Sequence, residues 1–298
     1  MKRVLVTGAS GWIGTNTLRP LLMRGYEVHA VSRRDPGLEG VEHHKADLLN
    51  EADVRELVSS IKPTHLLHLA WYAEHQKFWT SVENLHWLRA SVLLIEELAR
   101  SGGQRMVVAG TCAEYDWQDG VCSESNTACA PATLYGAAKL ALYEVAKSYC
   151  TQIGMSWAWG RIFFLYGPAE PAERLVAAVA RALLRGEPVK TTSGQQRRDY
   201  LHVADAGDAF AALLDSDVSG PVNIASGVPV RVRDIVEATA DVVGRRDLLE
   251  IGGLADRPGD PPLIVATTDR LRDEVGWSQR IGLEDGLRST VEWWRQRR

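Results

Sequence analysis

Val4-Leu5-Val6-Thr7-Gly8-Ala9-Ser10-Gly11-Trp12-Ile13-Gly14 is the stretch on which the fold of this chain turns. A short apolar run leads into three glycines with two residues between each, and a helical pattern follows. The physical translation is a buried strand, a tight turn and a helix N-terminus. Glycines let the backbone approach a pyrophosphate closely, and the unpaired N–H groups of the helix's first turn can bind its charge. The spacing is wider than G-x-G-x-x-G, so a glycine-rich structural turn stays open on these residues alone.

Working outward, further strand signals at residues 27–32, 66–70, 105–109 and 156–164 alternate with helical ones at 12–24, 50–60, 82–100 and 131–152. Asn50 reads as an N-cap, and Gly25 and Gly102-Gly103 as helix stops. Repeated β-α-β with short links means an α/β fold with a Rossmann-type, doubly wound parallel sheet. After Tyr166-Gly167-Pro168 the rhythm changes, with helices at 173–185, 204–214, 232–243 and 285–295 and strands near 189, at 198–203 and at 222–225. Residues 1–165 with 196–225 are expected to form a dinucleotide-binding domain. Residues 166–195 with 226–298 are expected to form a smaller, discontinuous domain over the C-terminal edge of the sheet, where ligands of such folds bind.

The chain has 298 residues and a formal charge of −4, without blocks of like sign, which argues against a nucleic-acid or membrane-surface protein. No apolar stretch reaches spanning length, and the first residues enter a strand at once, leaving no room for a signal peptide. Cys112, Cys122, Cys129 and Cys150 show no C-x-x-C spacing, so neither a zinc site nor a disulfide framework is expected. The expectation is a reduced, cytoplasmic protein that binds no metal.

Tyr135-Gly136-Ala137-Ala138-Lys139 lies near the start of a helix, and a spacing of four puts phenol and ammonium on one face. A nearby cation favours the phenolate and lowers the tyrosine's pKa from near 10 toward a range useful for proton transfer. Upstream, Val107-Val108-Ala109-Gly110-Thr111 ends a strand on a hydroxyl that can bond a substrate oxygen beside the tyrosine. In order, these are a glycine loop, a hydroxyl after a later strand, and Tyr-x-x-x-Lys on the next helix.

That order resembles the extended short-chain dehydrogenase/reductase family of nucleotide-sugar epimerases, dehydratases and ketoreductases. Asp47-Leu48, His68-Leu69-Ala70, residues 161–168, Arg198-Asp199-Tyr200-Leu201-His202-Val203, Asn223 and Arg257-Pro258-Gly259-Asp260 extend the likeness over nearly the whole chain. The resemblance implies that Gly8, Gly11, Trp12, Ile13 and Gly14 face the cofactor pyrophosphate, Asp47 and Leu48 meet the adenine, and Ala70 lies under the diphosphate and nicotinamide ribose. It makes Tyr135 the proton donor or acceptor, Lys139 the holder of the nicotinamide ribose, and Thr111 the group that orients the reacting carbonyl or alcohol. Arg198 and Arg257 match arginines that clamp a nucleotide-sugar diphosphate, Asn223 joins the substrate residues, and a structural ion pair is each arginine's other reading. It also implies a homodimer through a four-helix bundle of 82–100 and 131–152.

NAD selectivity needs a carboxylate at the end of the second strand. Here Val31-Ser32-Arg33-Arg34 offers a hydroxyl and guanidinium groups instead, which reads as NADP(H) preference, with NAD(H) possible. Dehydratases of the family carry Asp-Glu directly after the threonine, where this chain has Cys112-Ala113. Glu114 is one position further on and, along a continuing strand, would point to the other face. Cys112 reads as a small core thiol. The Trp71-to-Trp79 segment fits stacking of Trp71 on a sugar face, a hydrophobic lid or a dimer contact. The leading expectation is NADP(H)-dependent reduction of a 4-keto-(6-deoxy) nucleotide sugar. The alternatives are an NAD-dependent nucleotide-sugar 4-epimerase and a non-enzymatic NADP sensor.

Overall fold

The computed structural model describes residues 2–297. The first half comprises β1 (Arg3–Thr7), α1 (Trp12–Met23), β2 (Glu27–Val31), β3 (Val41–His44), α2 (Glu51–Ile61), β4 (His65–His68), α3 (Glu83–Arg100), β5 (Arg105–Thr111), β6 (Val121–Cys122), α4 (Leu134–Ile153) and β7 (Ser156–Ile162). The second half adds β8 (Phe164–Tyr166), α5 (Leu175–Arg185), β9 (Val189–Lys190), β10 (Arg197–His202), α6 (Val203–Asp215), β11 (Gly220–Ile224), β12 (Pro229–Arg231), α7 (Val232–Val243), β13 (Leu249–Glu250), β14 (Leu263–Ala266) and α8 (Leu283–Arg295).

Seven strands form one parallel sheet in the order β11-β7-β5-β4-β1-β2-β3. Its central strands are apolar on both faces because helices cover both. Val4 and Val6 pack with Leu18, Leu21 and Phe210 of α1 and α6, while Leu5 between them faces Leu57, Leu94 and Leu142 of α2, α3 and α4. This alternation gives the sheet two cores. Asn50 caps α2 by accepting from the Ala52 N–H at 2.9 Å, with Glu51 and Asp53 on the favourable end of the helix dipole.

A second sheet runs β12-β10-β14-β6, with β8 also pairing β10. This corrects two sequence expectations. The strand read at 156–164 divides: β7 stays in the large sheet, and beyond Phe163 the chain crosses to pair with β10 as β8. β10 itself belongs to the smaller sheet, although α6 packs on α1 and β11 returns to the large sheet beside β7. Among the described residues, no helix is long and apolar enough to cross a membrane.

Candidate active site

The glycine loop has the shape of a phosphate cradle. Gly8 has φ +69°, and a Cβ there would lie 2.8 Å from the Ala70 backbone nitrogen. A Cβ on Gly14 would run into the Gly8 carbonyl oxygen. No side chain caps α1 at Gly11, so the first-turn N–H groups at Trp12, Ile13 and Gly14 are left for a ligand. Beneath the loop, buried His68 bridges the Thr7 hydroxyl (2.7 Å) and the Ser91 hydroxyl (2.8 Å). Burial lowers its pKa to about 3, so it is neutral. Thr7 also accepts from the Ala70 N–H at 3.3 Å, tying that loop to β1. The side chain of Trp12 turns elsewhere: its indole donates to the Pro168 carbonyl at 2.7 Å, under the Arg174 guanidinium.

At the end of β2 the Ser32 hydroxyl donates to the Arg34 carbonyl at 2.6 Å, so it is not the open donor expected for a 2′-phosphate. Arg33 is exposed. Exposed Asp47 accepts from the Leu49 N–H at 3.0 Å, and Leu48 is buried beside it.

Tyr135 and Lys139 lie one turn apart on α4, at the C-terminal end of β5. The Lys139 ammonium is buried, donates to the Ala109 carbonyl at 2.7 Å and sits 3.8 Å over the Trp71 ring. Burial brings its pKa down to about 7, with Glu114 opposing. The phenol of Tyr135 is pushed upward by burial, and the neighbouring Thr111 hydroxyl pulls it down. Desolvation is thus the larger influence on this phenol, and the Lys139 ammonium is engaged by the Ala109 carbonyl.

Glu114 organises this corner, and sequence reasoning missed its role. β5 does not continue as a strand; one 3₁₀ turn, Cys112–Glu114, follows Thr111. Thr111 caps that turn through Ala113 N–H (3.2 Å), and Glu114 reaches back to the Thr111 N–H (2.9 Å), a capping box legible as Thr-x-x-Glu. The same carboxylate takes the Trp159 indole (3.0 Å) and the Arg161 guanidinium (2.7 Å), all out of solvent. It is therefore fully engaged in holding Thr111. Cys112 is buried, and burial pushes its thiol up.

The segment after β4 folds over the pair as a cover. Phe78 and Trp79 meet the Tyr135 ring edge-on at 4.8 and 5.8 Å. Buried Asn84 accepts from the Trp71 indole (2.8 Å) and donates to the Phe78 (2.7 Å) and Ser81 (2.9 Å) carbonyls. Trp71 thereby faces Lys139, and Asn84 carried no motif to announce it.

The substrate residues read from sequence divide. Arg198 is buried, bonded to Asp260 (2.5 Å) and to the Pro261 carbonyl (2.8 Å), so β10 and the Arg257-to-Asp260 loop meet through an ion pair. Arg257 is exposed. Asn223 does not join them: it accepts from the Tyr115 hydroxyl (2.8 Å) and donates to the Cys122 and Thr267 carbonyls (3.1 Å each), which engages its oxygen and both of its amide N–H groups.

Comparison with known proteins agrees with this geometry. A UDP-glucose 4-epimerase of Azospirillum brasilense is 29% identical, over 98% of this chain and 91% of its own. The solved structure of MoeE5 with UDP-glucuronic acid and NAD is 32% identical, with a TM-score of 0.84 and 99% of each chain covered. The UDP-glucose 4-epimerase of Thermus thermophilus, solved in complex with NAD, gives 28% identity and a TM-score of 0.85, over 98% of this chain and 99% of that one. The model of the NAD-dependent epimerase/dehydratase family matches residues 4–225, and the chain belongs to that family.

Proposed function

We propose that the protein is a UDP-sugar 4-epimerase that works with retained NAD. One observation carries the chemistry: Tyr135, Thr111 and Lys139 assemble at the sheet's C-terminal edge, while the position of dehydratase acids holds a buried thiol and an engaged Glu114. This constellation supports oxidation and reduction at carbon with proton transfer, not elimination of water. Relatives named UDP-glucose 4-epimerase, and neighbours solved with NAD, support the epimerase reading over reduction of a 4-keto sugar.

The first turn of α1 and the glycine loop would hold the cofactor diphosphate, and Lys139 the nicotinamide ribose. Bound NAD would supply reversible hydride transfer at the sugar carbon. Tyr135 takes the proton of the sugar hydroxyl and returns it after the keto-sugar has turned. Thr111, fixed by Glu114, orients that oxygen. Phe78 and Trp79 shield the phenol from water. Arg198 and Arg257 are the proposed diphosphate contacts. The division into a cofactor domain and a discontinuous substrate domain is part of the proposal, with β10 moved to the latter. So is a homodimer through α3 and α4, which leave Leu85 and Val145 exposed.

NADP-dependent reduction remains a second reading, favoured by exposed Arg33 and Arg34 and the absence of a carboxylate directly after β2. Denaturing the purified protein and identifying the released nucleotide separates the two. Incubation with UDP-glucose and no added cofactor should then yield UDP-galactose without net change in cofactor redox state. Stoichiometric NADPH oxidation on 4-keto-6-deoxy nucleotide sugars, without interconversion, would overturn the epimerase reading.

A further inference from the structure

β2 and β3 pair in parallel, with His29 opposite Glu42 and Val31 opposite His44. Residues two apart on a strand share a face, so His29, Glu42 and His44 all lie on the side where Val31 packs with α2. The His29 Nδ1 lies 2.9 Å from the His44 Nε2. Glu42 brings one carboxylate oxygen to 3.6 Å from His29 Nδ1 and the other to 3.5 Å from His44 Nε2. Ligand atoms about 2.0–2.1 Å from a tetrahedral zinc are about 3.3 Å apart. The three groups therefore stand near the spacing of three corners of one coordination shell.

The surroundings are those of a ligating histidine. His29 Nε2 bonds Glu27 at 3.0 Å, and Arg3 holds the same carboxylate oxygen at 3.0 Å. A carboxylate on the far nitrogen fixes the tautomer and aims the near nitrogen's lone pair at His44 Nε2, so a metal would take the place of the proton that the two rings share. His29 is buried, His44 half-buried and Glu42 exposed, so the group can be reached from solvent on the Glu42 side. Two imidazoles and one carboxylate suit zinc or a neighbouring transition metal better than magnesium or calcium, which take oxygen shells.

We propose that His29, Glu42 and His44 bind a divalent zinc-class metal that clamps the edge strand β3 onto β2. No C-x-x-C or His-x-x-x-His pattern announces the site, because its donors come from two strands. The clamp lies away from Tyr135, so its test does not depend on the catalytic reading.

The test is calorimetric titration of the chelator-treated, dialysed protein with zinc chloride alone, together with the cobalt(II) absorption spectrum. One equivalent should bind, and cobalt should show the intense visible bands of four-coordinate geometry. Glu42→Gln and His44→Gln should each weaken binding at least tenfold, Glu27→Gln about 10–100-fold, and His86→Gln on α3 not at all. Glu42 is exposed, so its variant is decisive if the histidine variant misfolds. Absence of binding by the unaltered protein, or unchanged affinity in Glu42→Gln, would overturn the proposal.

Discussion

Glu114→Gln isolates the device that holds Thr111. The carboxylate and the Arg161 guanidinium meet at 2.7 Å with side-chain exposures of 0% and 2%. The guanidinium is further walled in by the Tyr115 and Tyr143 rings at 4.4 and 5.1 Å. Glutamine removes the charge and turns one acceptor into an amide donor facing N–H groups that also donate. Breaking a buried pair from one side costs about 3–5 kcal/mol, because the remaining charge stays buried. An unfolding entropy of about 2.1 cal/mol/K per residue gives about 0.63 kcal/mol/K for 298 residues. The Tm of the cofactor-stripped protein should therefore fall by roughly 5–8 °C. The double variant Glu114→Gln/Arg161→Met removes the orphaned cation and should recover much of that loss. Calorimetry and urea melts of the four proteins give the cycle. Losses below about 1 kcal/mol in Glu114→Gln, or a double variant that loses the sum of the two singles, would refute the reasoning. Turnover should fall in Glu114→Gln while cofactor retention stays unchanged, since the carboxylate touches Thr111 and not the glycine loop.

Tyr135→Phe keeps the edge contacts with Phe78 and Trp79 but removes the proton, so kcat should drop about 10²–10⁴-fold with cofactor still bound; near-normal kcat would remove Tyr135 from its role. Gly14→Ala drives a Cβ into the Gly8 carbonyl, and nucleotide released on denaturation should be absent from the purified variant; a stoichiometric yield would contradict the cradle. Lys139→Met tests a pH effect in the cofactor-stripped protein. Burial holds Lys139 at about 7 against 10.5 for the unfolded side chain, so the folded state binds fewer protons between those values. The penalty for the buried ammonium is therefore full below about pH 7 and fades as pH rises toward 10.5. Denaturant midpoints at pH 6 and pH 9 should show the methionine variant's relative advantage shrinking at the higher pH; a constant gap would refute it.

The large sheet was legible because β1, β2, β4, β5 and β7 are apolar runs separated by helical periodicity, a local signal. β3 was not: Val41-Glu42-His43-His44 is polar, as an edge strand can be, and only its pairing with β2 makes it a strand. The place of β10 was illegible for a related reason, since its partners β8, β12 and β14 come from separate segments. That Tyr135, Lys139 and Thr111 share one end of the sheet was readable from spacing and order. Asn84 and the grip of Glu114 on Arg161 were not, since each works through contacts across the fold. Asn223 misled because residue type and position carried the expectation, while the Tyr115 hydroxyl and two carbonyls had already taken its amide.

With Asp260 seated on Arg198, a diphosphate arriving beside β10 meets a latched cation. On the proposed reading, docking becomes an exchange of anions, carboxylate out and phosphate in, and the loop that carries Arg257 is set loose by the same event. Because one negative group replaces another at that guanidinium, shape and hydrogen-bond fit govern loading more than net attraction does.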